Sequence, residues 1–156
     1  MKIILQRVKK ADVMINHRIT GRIKTGYLIL VGFERGDREI FIKPMLDKIL
    51  KLKLFTDSNG KMNFSVSDVK GGLLIISQFT LSADLKKGKK PSFSKALPPK
   101  LAKTYYELFL KEAQSSGILV QSGEFGAMMQ VTLQNDGPVT LILNSSELFP
   151  ALYQEK

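Results

Sequence analysis

Two uninterrupted apolar runs constrain this chain more than any other feature. Tyr27-Leu28-Ile29-Leu30-Val31-Gly32-Phe33, opened by Gly26, has strand length and β-branched character, and so does Leu73-Leu74-Ile75-Ile76 after Gly71-Gly72. Each reads as a buried strand. Ile3-Ile4-Leu5-Gln6-Arg7-Val8 predicts a first strand. Val13, Ile15, Ile19 and Ile23 alternate on either side of Asn16-His17-Arg18, a hairpin signal with Asn at the tolerant turn position.

Helices are expected in two places. Asp37 is placed to cap one through about Leu52, with Ile40, Met45, Ile49 and Leu52 on its apolar face. Pro44 lacks a backbone donor, so that helix must kink or start late. The second runs from Pro98-Pro99 to about Ser116, with Leu101, Tyr105, Leu108 and Phe109 on one face and Gly117 as its stop. Lys51 to Phe55 alternates like a strand, and Asp57-Ser58-Asn59-Gly60 reads as a turn. Three further strands are expected: Ile118 to Ser122, Met128 to Leu133 and Val139 to Leu143, with Asn135-Asp136-Gly137-Pro138 between the last two. These elements predict one compact α+β domain over residues 1–145, a mostly antiparallel, barrel-like sheet with two helices. Residues 146–156 read as a loosely held tail.

Composition removes most catalytic options. The 156 residues include no Cys and no Trp, and a single His. Disulfides, thiolate metal sites and cysteine nucleophiles are therefore excluded. A Ser-His-Asp triad would have to use His17, which falls at a turn with no suitable neighbours. No metal or other cofactor is expected. The net charge of +10, from 24 Lys+Arg against 14 Asp+Glu, favours a polyanionic partner, although lysines that only solvate the surface give the same count. No apolar run approaches a membrane span, and Met1 to Arg7 turns polar at once, so a cytoplasmic location is expected.

Three segments stand out as candidate sites. Ser77-Gln78-Phe79-Thr80 ends a buried strand in hydroxyl and amide groups; strand-end hydrogen bonding alone explains it as well as a site does. Lys86-Lys87-Gly88-Lys89-Lys90-Pro91-Ser92-Phe93 is either a solvated loop or a grip on an RNA backbone with Phe93 for stacking. Asn135-Asp136-Gly137-Pro138 is either a plain turn or, because Gly before Pro accepts it most freely, a cis peptide.

Several ordered motifs resemble the D-aminoacyl-tRNA deacylase (D-Tyr-tRNA deacylase) family. They are Leu5-Gln6-Arg7-Val8, Leu30-Val31-Gly32, Ser77-Gln78-Phe79-Thr80-Leu81 with Ala83-Asp84 and Lys90-Pro91-Ser92-Phe93, Phe125 to Val131, and Asn135 to Thr140. Ser82 departs from the pattern, standing where a bulkier residue is common, and Gln130 stands where an acidic residue also occurs. The resemblance implies a homodimer that hydrolyses the ester between a D-amino acid, or mischarged glycine, and the tRNA 3′-terminal adenosine. It implies catalytic-pocket roles for Ser77, Gln78, Phe79 and Thr80. It also implies substrate binding by Met129 and by Gly137-Pro138, which would enter the partner's site and reject L-amino acids. Lys86, Lys87, Lys89 and Lys90 are expected to bind tRNA. An aminoacyl ester is already activated, so positioning and oxyanion stabilisation suffice without a triad. Thr80 has no adjacent base to make it a nucleophile, and a positioning role is the expectation, with the substrate 2′-hydroxyl assisting. The competing expectation is a basic dimeric nucleic-acid-binding module without catalysis.

Overall fold

The computed structural model describes residues 1–86 and 88–154; Lys87, one of the four lysines expected to bind tRNA, lies outside them. Strand β1 (Lys2–Ile15) is the organising element. It turns at Asn16 and His17, both at positive φ, into β2 (Arg18–Ile23), the expected hairpin with an exposed His17. Strand β3 (Gly26–Gly32) returns antiparallel along the first half of β1.

The next segment departs from the periodicity. A 3-10 turn at Glu39–Phe41 precedes helix α1 (Ile42–Lys51). Pro44 is thus the third residue of α1, where no backbone donor is required, and the late start resolves its awkwardness. Met45 and Ile49 are buried as expected, but Ile40 lies outside the helix and is 43% exposed. Asp37 caps nothing in α1. Its carboxylate pairs with the Met1 ammonium and accepts from the Glu34 amide at 2.6 Å and from the Tyr153 hydroxyl at 2.8 Å.

The expected Lys51–Phe55 strand shrinks to β4 (Phe55–Thr56), paired with β5 (Met62–Phe64) across the Asp57–Gly60 turn. Strand β6 (Gly72–Ser77) runs parallel to β3. A Cβ on Gly26 would strike the carbonyl of Gly72, so this pairing needs glycine there. Helix α2 (Pro99–Gln114) buries Ala102, Tyr106, Phe109 and Ala113. That face is rotated from the expected one; Leu101 is 41% exposed, while Tyr105 and Leu108 pack at its flank. Strand β7 (Leu119–Ser122) is parallel to β6.

The two strands expected at the end are one. Strand β8 (Gln130–Asn144) runs unbroken and antiparallel to the whole of β1. Gln6 opposes Thr140 and Val8 opposes Asn135, so Arg7 alone faces residues 136–139. The Asn135–Pro138 segment is therefore an outward irregularity within a ladder, not a chain reversal. The Gly137-Pro138 bond is cis.

The main sheet is mixed: β1 pairs antiparallel with β2, β3 and β8, while β3, β6 and β7 are parallel. Gly21 of β2 lies close to Ser122 of β7, which nearly closes the sheet. Both faces are covered. Tyr27, Ile29, Val31, Leu73 and Ile75 pack with Met45, Ile49, Tyr106 and Phe109 of the helices. Leu28, Leu74 and Ile76 point the other way and pack with Val8, Val13 and Ile23. Uninterrupted apolar runs are what such two-sided strands require, each side chain contributing about 1.5–3 kcal/mol on burial.

The C-terminal segment is held more firmly than its composition indicates. Two short helices, α3 (Ser145–Leu148) and α4 (Pro150–Gln154), follow β8. Ser145 accepts a hydrogen bond from the Met1 ammonium at 2.8 Å, and Tyr153 stacks on Phe41 with centroids 4.3 Å apart.

Candidate active site

A cleft of about 770 Å³ opens at the carboxyl ends of the parallel strands β3 and β6, where ligand sites of parallel sheets commonly lie. The ladder extends one step past Ser77, because the Gln78 amide donates to Val31 O at 2.7 Å. This step brings the Gln78 carbonyl so near Gly32 that a Cβ there would sit 2.6 Å from it. The chain then enters a 3-10 turn at Phe79–Ser82. Its first intrahelical bond runs from Leu81 N–H to Gln78 O at 3.3 Å. The amides of Phe79 and Thr80 precede that bond and have no intrahelical acceptor.

Ser77, Gln78 and Phe79 line the cleft, and so does Met129. Phe79 meets Phe93 edge-on at 5.0 Å, forming an aromatic corner in which Phe79 stays 55% exposed. Thr80 is placed differently from its neighbours. It is exposed and off the cleft lining, and its Oγ1 accepts a hydrogen bond from Gln78 Nε2. Ser82 is buried and its hydroxyl has no hydrogen-bond partner among the described residues. Beneath the cleft the buried Tyr106 hydroxyl donates to Ile75 O at 2.9 Å, and burial pushes its pKa up to about 12.

Gly137 and Pro138 are exposed and do not line this chain's own cleft. They lie beside Arg7, which the sequence pattern alone did not single out as functional. Arg7 is almost fully buried; its Nε donates to Asp136 O at 2.9 Å and its Nη1 to Leu54 O. A buried guanidinium is rare without such partners, so burial of a charged residue at mid-strand was the missing signal.

Lys86, Lys89 and Lys90 are exposed on a loop pinned at its base. Asp84 and Ser92 exchange backbone hydrogen bonds at 2.7 and 3.0 Å, and Lys95 pairs with Asp84 at 3.2 Å. The Lys86 amide, and after it Lys95, hold the Asp84 carboxyl below its usual range. Among the described residues no cluster of His, Asp and Glu is arranged to hold a metal ion. No helix among the described residues is long and apolar enough to cross a membrane.

Comparison with known proteins agrees with this geometry. The family model for D-Tyr-tRNA(Tyr) deacylase matches residues 4–144. The D-aminoacyl-tRNA deacylase of Thermosipho africanus is 47% identical over 149 residues, covering 96% of this chain and 100% of that protein. Its counterpart in Aquifex aeolicus is 45% identical over 148 residues, covering 95% and 100%. Among solved structures, the c-Myc DNA Unwinding Element Binding Protein is 39% identical with a TM-score of 0.86, covering 92% of this chain and 98% of that one. A probable eukaryotic D-amino acid tRNA deacylase, 17% identical over 91% of this chain and 97% of its own, shares the fold with a TM-score of 0.79.

Proposed function

The chain belongs to the D-Tyr-tRNA(Tyr) deacylase family, and on that premise we propose that it hydrolyses the ester joining a D-amino acid to the 3′-terminal adenosine of tRNA. The products are the free D-amino acid and tRNA, and glycine mischarged on tRNA is a second substrate. The observation that carries this reading is the cleft lining. Among the described residues it offers hydroxyl, amide and aromatic groups but no His and no carboxylate, which suits an ester already activated for attack.

In this mechanism Phe79 and Thr80 N–H stabilise the oxyanion that forms when water adds to the ester carbonyl. Ser77 and Gln78 orient the aminoacyl group. The attacking water gives up a proton as it adds, and collapse of the tetrahedral intermediate expels the ribose 3′-oxygen, which takes up that proton with the neighbouring 2′-hydroxyl assisting the transfer. Thr80 positions Gln78 through their hydrogen bond. Met129 packs against the substrate from the opposite wall, and the 86–90 lysines hold the tRNA backbone.

Chiral rejection is assigned to a second copy of this chain. Gly137 and Pro138 are exposed, on a strand whose other edge is open among the described residues, and lie away from this chain's own cleft. In a homodimer they enter the partner's site, where their carbonyls hold the substrate ammonium. An L-side chain then collides with that segment while a D-side chain points outward, which excludes by clash and tolerates many side chains. Residues 1–145 form the catalytic unit, with 146–156 a C-terminal tail that supplies no group to the chemistry. An aminoacyl-tRNA substrate supports a cytoplasmic location.

The test is incubation of the purified protein with D-Tyr-tRNA and L-Tyr-tRNA. Release of D-tyrosine alone is expected. Tight tRNA binding with both esters left intact would establish the non-catalytic binding module instead.

A further inference from the structure

We infer that Arg35 grips the phosphate on the 5′ side of the terminal adenosine, and so sets the cleft's preference for a nucleotide over a nucleoside ester. This rests on the deacylase reading. Arg35 is the one charged residue lining the cleft among the described residues. Its position is fixed at two points: the backbone amide donates to Lys95 O at 2.8 Å and Nε donates to Ser94 O at 2.9 Å. No carboxylate lies within ion-pair distance of it among the described residues. Glu34 is engaged by Lys2, Asp37 by the Met1 ammonium, and Asp84 by Lys95.

A pinned guanidinium at the edge of an apolar cleft, with its Nη donors uncommitted among the described residues, is built for an oxyanion. Before attack the aminoacyl ester supplies none, since its carboxyl is esterified and its amino group is cationic, and the oxyanion formed on attack is already assigned to the Phe79 and Thr80 amides. The substrate's anions are its phosphates. Arg35 is bonded to residues 94 and 95, which continue directly from the pinned lysine loop. The guanidinium is thus tied to the segment that follows Lys89 and Lys90 in the chain, and the phosphate assigned to it is the one nearest the terminal ribose.

The experiment compares D-tyrosyl esters of adenosine and of the dinucleotide cytidylyl-adenosine, which adds that phosphate. With wild type, kcat/KM should be higher for the dinucleotide ester. Arg35→Ala should remove about tenfold of that preference, mainly through KM. Arg35→Lys should restore part of it, as a point charge without the fork. Equal losses on both esters with Arg35→Ala would overturn the assignment. So would weaker inhibition by free D-tyrosine in that variant with the dinucleotide preference intact, which would make the product carboxylate the anion. A wild type that hydrolyses both esters equally removes the role of Arg35 but leaves the deacylase reading standing. Inactivity of wild type on both esters and on D-Tyr-tRNA overturns both.

Discussion

Arg7 on β1 donates from Nε to the carbonyl oxygen of Asp136 at 2.9 Å, at the point where β8 departs from its ladder. The same guanidinium reaches Leu54 O through Nη1, so one side chain ties the Gly137-Pro138 segment to the core. Arg7→Ala leaves the buried Leu54 carbonyl without this donor and should cost about 1–3 kcal/mol in a urea titration. Arg7→Lys keeps the charge but cannot serve both carbonyls. We expect it to recover part of the stability while D-ester kcat/KM stays at least about tenfold low. Full activity in Arg7→Lys would show that the fork is dispensable.

Gly137 has φ +129°, and a Cβ there would lie 2.9 Å from Val139 Cγ2 and 3.2 Å from Arg7 Nη2. Gly137→Ala is therefore strained in itself and presses on the residue that holds the segment. Backbone strain of this kind costs about 1–3 kcal/mol, a loss the two-sided core can absorb. Activity should suffer more than folding, seen as slower D-Tyr-tRNA hydrolysis or as new hydrolysis of L-Tyr-tRNA at a nearly normal Tm. An unaltered D/L ratio at full rate would remove Gly137 from chiral selection.

These two residues also show how far the sequence could be read. Gly137-Pro138 announces a special geometry through its residue types alone, and the hairpin at Asn16-His17 and the buried runs of β3 and β6 do the same through pattern. Arg7 announces nothing, because its role depends on the pairing offset between β1 and β8, two strands far apart in the chain. The same limit applies to Asp37: its side chain fits a helix cap, but the Met1 ammonium, brought near by folding, takes the carboxylate. On α2, Leu101 has the right spacing for the core, yet helix rotation is set by fitting Tyr106 and Phe109 against the sheet. Local chemistry was legible; long-range register was not.

The Thr80 hydroxyl bonds to Gln78, so the side chain, unlike the backbone N–H, reaches the site only through that residue. Thr80→Ala should keep substantial activity, with a change in KM no larger than the loss of one neutral hydrogen bond, about 1 kcal/mol or fivefold. A nucleophile would instead lose nearly all kcat and accumulate an acyl-enzyme. Mass spectrometry of the wild type during turnover decides between them, since a D-aminoacyl adduct on Thr80 is incompatible with the positioning role.

The lysine loop should contribute affinity and not chemistry. Each lysine–phosphate contact adds about 0.7–0.9 to the slope of log K against log salt. Replacing Lys86, Lys89 and Lys90 with Ala is expected to weaken tRNA binding and to reduce that slope by about 2. The single-turnover rate at saturating tRNA should not move. A slower saturated rate, or an unchanged slope, assigns the loop another role.

Alkaline stability should report Tyr106, whose hydroxyl is buried against Ile75 O and whose pKa is pushed up to about 12 by desolvation. An unfolded tyrosine titrates near its ordinary value of about 10. Below that pH both states hold the proton and the contribution to stability is constant. Between about 10 and 12 the unfolded chain releases its proton first, so the folded state binds more protons and stability falls as pH rises. Two pKa units correspond to a loss on the order of 2–3 kcal/mol across that window. Tyr153, also raised to about 12, and Tyr27, raised by burial, add to the same decline. Tyr106→Phe loses the bond to Ile75 O, which should cost about 1 kcal/mol at neutral pH, but it cannot ionise. Urea midpoints between pH 8 and about 11 should therefore fall less steeply in the variant than in the wild type. Parallel slopes would mean that another group controls the alkaline loss.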